Sequence, residues 1–519
     1  MLTRSVFRMA LAGLMTVALI GAGCAPQGET PSGSGTAVTP PTMDMTTDIP
    51  APVTAPDTVE TSIGTLDYFD GVPTDGTRET VYDYLDRSRA VQVYLNSIPA
   101  LSINALREGQ ASAGCAESHQ VCIFDTLMDS RSLVLTGNTS TMYAIGFLDL
   151  EKDGPTVVDL PQRMLGILDD MAFLYMTDLG VAGPDKGQGG KFLVLPPGFT
   201  GDVPDGYFVV PSRTYGVWLF MRGYLDKGIQ AASENIRNNL KVYPLAKASD
   251  PPTMEFINIS GKEMNTVLPN DFSAFEKLHG LIEQEPDDYL GPEAKGMMAA
   301  IGIVKGQPFN PDARMKEILT DAAAIGNAAA RAISYSPREP GQYIYDMNSA
   351  WVMGYANKDT TYTTNGARNL DARVFFHFGY ICVSPAMAVT VAGTGSDYAM
   401  AAVDSNKRLL DGSKTYKLHL PPDIPVEDFW AVTMYDTQTR SQLQTDQQFP
   451  TVGSQSEGFQ QNDDGSYDVY FAPQAPEGQE SNWLQTIPGK SWFIALRLYG
   501  PLQPWIDQTW RPGEIELVQ

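Results

Sequence analysis

Histidine and cysteine are scarce in this chain, at four residues each among 519. That scarcity narrows the chemistry it can run. Only His119, His279, His377 and His419 could serve as imidazole bases. No G-x-S-x-G elbow, H-E-x-x-H helix, phosphate-binding glycine loop or dinucleotide fingerprint occurs. The common serine-hydrolase, zinc-protease and nucleotide-dependent classes therefore lack their signatures, and no cofactor is expected. Positive charge is in deficit too, with 36 Lys and Arg against 61 Asp and Glu, a net charge of −25. Such a balance argues against nucleic acid as a partner and against broad adsorption to anionic lipid. After the first 23 residues no apolar run is long enough to read as a membrane span, which needs about 20 residues.

What is present begins with an export signal. Arg4 and Arg8 precede an apolar run over 9–20, and Gly21, Ala22 and Gly23 lead directly into Cys24. A positive start, a short apolar segment and small residues at a cleavage point predict a signal peptide over 1–23. Cysteine at the next position predicts a bacterial lipoprotein, with Cys24 as the acylated residue. Pro, Thr, Gly and Ser dominate the following stretch, so residues 24–60 are expected to be a disordered tether. It would reach on the order of 30 Å as a flexible coil. The chain is thus expected outside the cytoplasm, periplasmic or at the cell surface, touching the membrane through a lipid anchor only.

Some 460 residues remain, enough for two or three domains with real cores. Apolar residues Val81, Tyr84, Leu85, Val91, Tyr94 and Leu95 recur at helical spacing, predicting an N-terminal helix or helix pair over 80–107. Short β-branched or aromatic segments follow at 141–148, 156–160, 172–176, 191–195 and 207–210, punctuated by Gly and Pro clusters. They predict an antiparallel sandwich or barrel within 61–250. Helical patterns return at 271–284 and 312–334, the second rich in alanine, and assign 251–395 to a helical insertion and connector. Strand signals at 415–420, 429–435, 467–471 and 492–498 define a C-terminal β domain over 396–519. Asp464-Gly465 ahead of 467–471 reads as a hairpin turn.

Cys115 and Cys122 are close enough for a local disulfide in an oxidising compartment. With His119 between them they could instead offer three metal ligands, but no fourth is identifiable and no metal is expected. Cys382, in an apolar run, reads as an inert core thiol. Asn462, Asp463, Asp464 and Asp468 miss the spacing of a calcium loop and read as a turn. His419 and His377 read as structural, and His279 as a helix-surface residue.

The C-terminal run carries dense motifs. They include 421–425 (Pro-Pro-Asp-Ile-Pro), 429–436 (Phe-Trp-Ala-Val-Thr-Met-Tyr-Asp) and Thr439-Arg440-Ser441. They continue through Asn482-Trp483-Leu484-Gln485-Thr486, 496–501 (Leu-Arg-Leu-Tyr-Gly-Pro) and Trp510-Arg511-Pro512. Together these resemble the bacterial domain of unknown function 1214. Upstream, Asn138, Thr141-Met142-Tyr143, Asp149-Leu150, Gly154-Pro155 and Pro196-Pro197-Gly198 resemble its habitual partner, domain of unknown function 1254. The resemblance implies an α+β protein with two mainly antiparallel, β-sandwich or jelly-roll-like domains and helices between and around them. It implies no particular chemistry.

Polar and aromatic residues concentrate in the C-terminal motifs: Tyr398, Asp404, Tyr435, Asp436, Arg440, Asn482, Trp483, Arg497 and Tyr499. Arginine presents a planar fork to carboxylate or phosphate, and Tyr and Trp stack and donate hydrogen bonds. Alternation along 492–499 sends Trp492, Ile494, Leu496 and Leu498 to one face and Arg497 and Tyr499 to the other, where a site is expected. The leading expectation is a cell-envelope lipoprotein that binds or processes a glycan or another polar small molecule there. A carboxylate-pair hydrolase and a non-catalytic scaffold are the alternatives. Neither catalytic residues nor oligomeric state are legible.

Overall fold

The computed structural model describes residues 43–518. The expected signal segment 1–23, Cys24 and the start of the 24–60 tether lie outside the described residues. The chain divides into two compact units at Thr74 and Asp75. In the first, Thr58–Thr61, Gly64–Phe69 and Val72–Pro73 form a small antiparallel sheet. Strand structure thus starts inside the segment read as tether. The turn closes because Gly64 adopts φ +116° and pairs with Thr61, a conformation that glycine reaches without a Cβ clash.

The second unit contains both sandwiches. In the first sandwich, a six-stranded sheet runs Glu255–Asn258, Gln120–Ile123, Met142–Asp149, Gly216–Gly223, Met164–Asp170, Tyr175–Gly180. A four-stranded sheet of Phe208–Pro211, Gly190–Leu195, Thr156–Leu160 and Lys241–Pro244 packs on it. Side chains alternate along a strand, so Val217, Leu219 and Met221 enter the core shared with Val158, Phe192 and Val194. Trp218 and Phe220 turn the other way, beside Tyr143 and Ile145.

The second sandwich repeats the plan. One sheet runs Ser396–Ala401, Trp492–Pro501, Val426–Asp436, Thr451–Gly453; its partner runs Trp483–Gln485, Tyr467–Ala472, Tyr416–Leu420, Ile515–Leu517. Trp492, Ile494, Leu496 and Leu498 fill the core between them, as the alternation predicts. Phe493 and Ala495 lie on the other face with Val352, Phe375 and Met400. Most pairings are antiparallel, with short parallel ones such as Gly190–Leu195 with Phe208–Pro211. The architecture is α+β, with two sandwich-like β domains and a helical segment between them in sequence.

The 38-residue helix Asp75–Ser112 is one continuous element, not a pair, although it contains Pro99. Its buried face, with Tyr94, Ile98 and Leu101, packs on Phe275, Leu278, Leu319, Ala323, Val374 and Phe378. These come from the helices Ser273–Gln284, Ala313–Tyr335 and Leu370–Gly379. A Cβ on Gly326 would lie 2.4 Å from the Tyr94 ring, so glycine there permits the close approach. Apolar packing along one face compensates for the hydrogen bond that proline removes.

Two strand expectations need correction. Residues 171–174 form a turn, held by Asp170 Oδ1, which accepts from Ala172 N and Leu174 N at 3.0 Å each. The strand begins at Tyr175, and the preceding strand Met164–Asp170 had no separate signal. Asp464-Gly465 does make a tight turn, with Gly465 N donating to Asn462 O. The chain before it is not a paired strand, however. Tyr467–Ala472 takes its antiparallel partner from Tyr416–Leu420, because core placement of Val469 and Phe471 against Leu418 outweighs local turn preference.

Candidate functional site

Arg222 and Arg497 hold matching positions in the two sandwiches. Arg222 lies on Gly216–Gly223, directly across the ladder from Tyr143. Arg497 lies on Trp492–Pro501, directly across from Tyr398. Both arginines are more than nine-tenths buried. Strand alternation turns each away from its own sandwich core. The two outer faces and the segment 353–388 enclose a cavity of about 100 Å³, lined by Thr136, Tyr143, Phe220, Arg222, Tyr355, Phe376, Cys382, Met387, Tyr398, Met400 and Arg497 among others.

The two guanidiniums are held differently. Arg497 Nη2 donates to Thr136 O and to Tyr435 Oη, both at 2.6 Å. Tyr435 Oη donates onward to Gly137 O at 3.0 Å. Arg222 Nη1 makes one long contact with Tyr398 Oη, at 3.4 Å. The Nε of each arginine is buried without a partner, and neither forms an ion pair among the described residues. Asp397 also lines the cavity. Its Oδ2 accepts from Trp505 Nε1 at 2.8 Å and from Thr390 Oγ1, and its Oδ1 accepts from Tyr398 N.

Buried cations without a counter-ion are costly, and the surrounding phenols register the field. Burial raises the Tyr398 hydroxyl, but Arg222 and Arg497 outweigh it and hold its pKa below the usual phenol value. The Arg497 guanidinium carbon sits 4.9 Å from the Tyr398 ring centre. For Tyr143, burial wins and the hydroxyl stays well above its ordinary range despite both arginines. Lys358, exposed at the rim, adds a third positive charge.

Segment 353–388 is pinned to the first sandwich by two carboxylates. Asp169 Oδ2 accepts from Val383 N at 3.0 Å, and Asp178 Oδ1 accepts from Ser384 Oγ at 2.6 Å. Burial holds the Asp169 carboxyl well above the usual carboxylate range. Tyr355 Oη donates to Cys382 O at 2.6 Å. Cys382 itself adopts φ +75°, a left-handed conformation that costs a non-glycine residue about 1–3 kcal/mol. The structure places this thiol in the cavity wall, and burial pushes its pKa well up.

Of the nine residues singled out in the sequence, four gather here. Tyr398 and Arg497 line the cavity, Tyr435 anchors Arg497, and Tyr499 lies on the same strand face, stacked on Phe429 at 4.1 Å. The other five do not line it. Asp404 holds a turn by accepting from Asn406 N and Arg408 N. Asp436 pairs with Lys490 and caps its own turn through Gln438 N. Arg440 donates to Phe378 O at 3.1 Å and stacks on that ring at 4.0 Å, with burial lowering its pKa to about 10. Asn482 bridges Gln460 O and Asp468 O, and Trp483 Nε1 donates to Ala472 O. Arg222, Tyr143 and Cys382 were not among the candidates.

Elsewhere, Cys115 and Cys122 form a disulfide with Cα atoms 5.9 Å apart. His119 approaches Glu255 at 3.9 Å, and His419 Nδ1 meets Asp468 Oδ1 at 2.8 Å. Among the described residues no group of three or more His, Cys, Asp or Glu is placed to hold a metal ion. No helix among them is long and apolar enough to cross a membrane.

Residues 119–244 match the family described as "Protein of unknown function (DUF1254)", and residues 395–503 match "Protein of unknown function (DUF1214)". The VPA0106 protein of Vibrio parahaemolyticus shares the fold, with TM-score 0.50 and 17% identity over 84% of this chain and 100% of its own. An uncharacterized protein from Burkholderia cenocepacia aligns with TM-score 0.37 and 14% identity, over 86% of this chain and 97% of its own. No curated protein matches the chain. The cavity lies between the two matched regions: Tyr143 and Arg222 come from the first, Tyr398 and Arg497 from the second.

Proposed function

We propose that this chain, which carries a DUF1254 domain followed by a DUF1214 domain, is an exported lipoprotein that binds a small acid between those domains. The observation that carries this reading is the pair of buried arginines, each with an unpartnered Nε and no ion pair among the described residues, Asp178 acting on Arg222 only from beyond ion-pair distance. A carboxylate or phosphate entering the cavity supplies the missing counter-charge and accepts charge-assisted hydrogen bonds. Arg222, with one 3.4 Å contact, is the freer donor; Arg497 sets the field from a fixed position.

Within the broader expectation of a glycan or polar ligand, this geometry favours an acid. Neutral sugars are met by many exchanging hydrogen-bond partners, whereas this wall offers Phe220, Phe376, Met387 and Met400 around two cations. The hydrolase alternative finds less support. Among the described residues Asp397 is the one carboxylate in the wall and is engaged by Trp505 and Thr390, so they bring no free acid–base pair of the glycosidase kind to the cavity.

Thermal unfolding of the full chain against small carboxylates, inorganic phosphate, uronic acids and their neutral counterparts tests the reading. A bound acid at about 100 times its Kd stabilises the fold by about 2.7 kcal/mol. Stabilisation by neutral sugars with none by any acid would remove the proposal. Export and the lipid on Cys24 are tested separately, by detergent partitioning of the wild type and Cys24→Ser in a bacterial host. Equal partitioning of the two into the aqueous phase overturns the anchor.

A further inference from the structure

Arg222 borders a second cavity as well as the first. That cavity, of about 260 Å³, shares Phe220, Arg222 and Met387 with the first and continues along Ile167, Val181 and Val391. Val181 and Val391 are about half exposed, at 48% and 59%, so this chamber carries an apolar rim on the protein surface. Its acidic member, Asp178, is already engaged by Ser384 Oγ and Tyr175 Oη.

The sizes decide what a ligand must look like. A cavity of about 150 Å³ lined by apolar side chains takes one benzene. The first chamber, at about 100 Å³, is smaller than that, so it admits an acidic head and little more. Phe220, Arg222 and Met387 line both chambers, so they are the wall shared with the second, roomier one, where a larger apolar body would fit.

Resting on the acid-binding reading above, we infer that the ligand is an amphiphilic acid: its head sits between Arg222 and Arg497, and its acyl or similar apolar tail lies in the second chamber. One guanidinium facing both chambers, with its Nε unpartnered, places the charge at the junction where such a molecule changes character. The apolar rim at Val181 and Val391 then marks where the tail enters or leaves. A tail in the second chamber removes more apolar surface from water than the first chamber alone permits.

Calorimetric titration of the full chain with linear carboxylates from butanoate to dodecanoate, each kept below its micelle threshold, reads this directly. The inferred outcome is affinity rising roughly threefold to fourfold per added methylene up to a plateau. Val181→Asp lines only the second chamber at an exposed site, so it should keep the fold. It is expected to weaken the longest acids at least tenfold and leave butanoate unchanged. Equal affinity for all chain lengths overturns the tail assignment while leaving the acid-binding reading intact. No binding by any carboxylate or phosphate overturns both. Alkanols that bind as tightly as the matching acids overturn the placement of the head at the arginines.

Discussion

Arg222 and Arg497 differ in one decisive respect: how much of each guanidinium the protein has already used. Each lies on a strand near the middle of its sheet, faces away from its own core and stands across the ladder from a tyrosine. Arg497 is committed through two 2.6 Å hydrogen bonds that tie the second domain to Thr136 and, through Tyr435, to Gly137 of the first. Arg222 spends one weak contact on Tyr398. A buried cation that the protein itself satisfies serves cohesion; on the acid-binding proposal, the one left nearly unmet is the one free to meet a ligand.

Substitution should break that comparison most sharply at Arg222. Arg222→Met removes the freer donor, so acid affinity is expected to fall roughly 10- to 100-fold, read by calorimetry. Stability in urea should hold within about 1 kcal/mol or rise, because an uncompensated buried charge is lost with it. Arg497→Met should do the reverse in emphasis. It removes the charge-assisted donor to Thr136 O and to Tyr435 Oη, and is expected to cost about 2–3 kcal/mol of folding stability.

Ionisation of Tyr398 sharpens the same contrast. Tyrosinate absorbance against pH should show one phenol ionising below the ordinary value near 10. That phase should vanish in Tyr398→Phe and move upward in Arg222→Met. Since the folded pKa is depressed, Tyr398 contributes stability that grows as pH rises through the interval between its folded and unfolded values. Tyr94 and Tyr335, pushed up to about 12 by burial, act oppositely: their contribution is lost as pH climbs from 10 through 12. The smallest effect is expected from Asp404→Asn, which should leave acid binding unchanged, because Asp404 holds only its own turn. A large binding loss there would return the candidate site to the wider motif region.

The strand Trp492–Pro501 was readable because its core-side residues alternate with Arg497 and Tyr499, so the face with the polar groups could be named in advance. Gly216–Gly223 carried no such signal. Both strands are buried throughout, but Val217 to Met221 are apolar on both faces, so no polar pair like Arg497 and Tyr499 marks one face with a period of two. The motif-rich residues Asp436, Arg440, Asn482 and Trp483 stand outside the cavity and are prominent in sequence for a different reason. Turns and interdomain packing demand specific side chains as strictly as ligands do, and sequence records the demand without its cause. Cys382 was legible as buried but not as cavity wall, since its left-handed backbone and its tie to Tyr355 arise only in the folded chain.

The divided origin of the cavity has a consequence for descent. Each domain contributes one arginine and one tyrosine, and Thr136 of the first receives the hydrogen bond that seats Arg497 of the second. A gene fragment encoding either domain alone would yield half a pocket, an uncovered apolar face and a guanidinium facing water. If the cavity binds the proposed acid, selection on that binding would act on the fusion as a unit, and the two domains would be inherited, lost and diversified together.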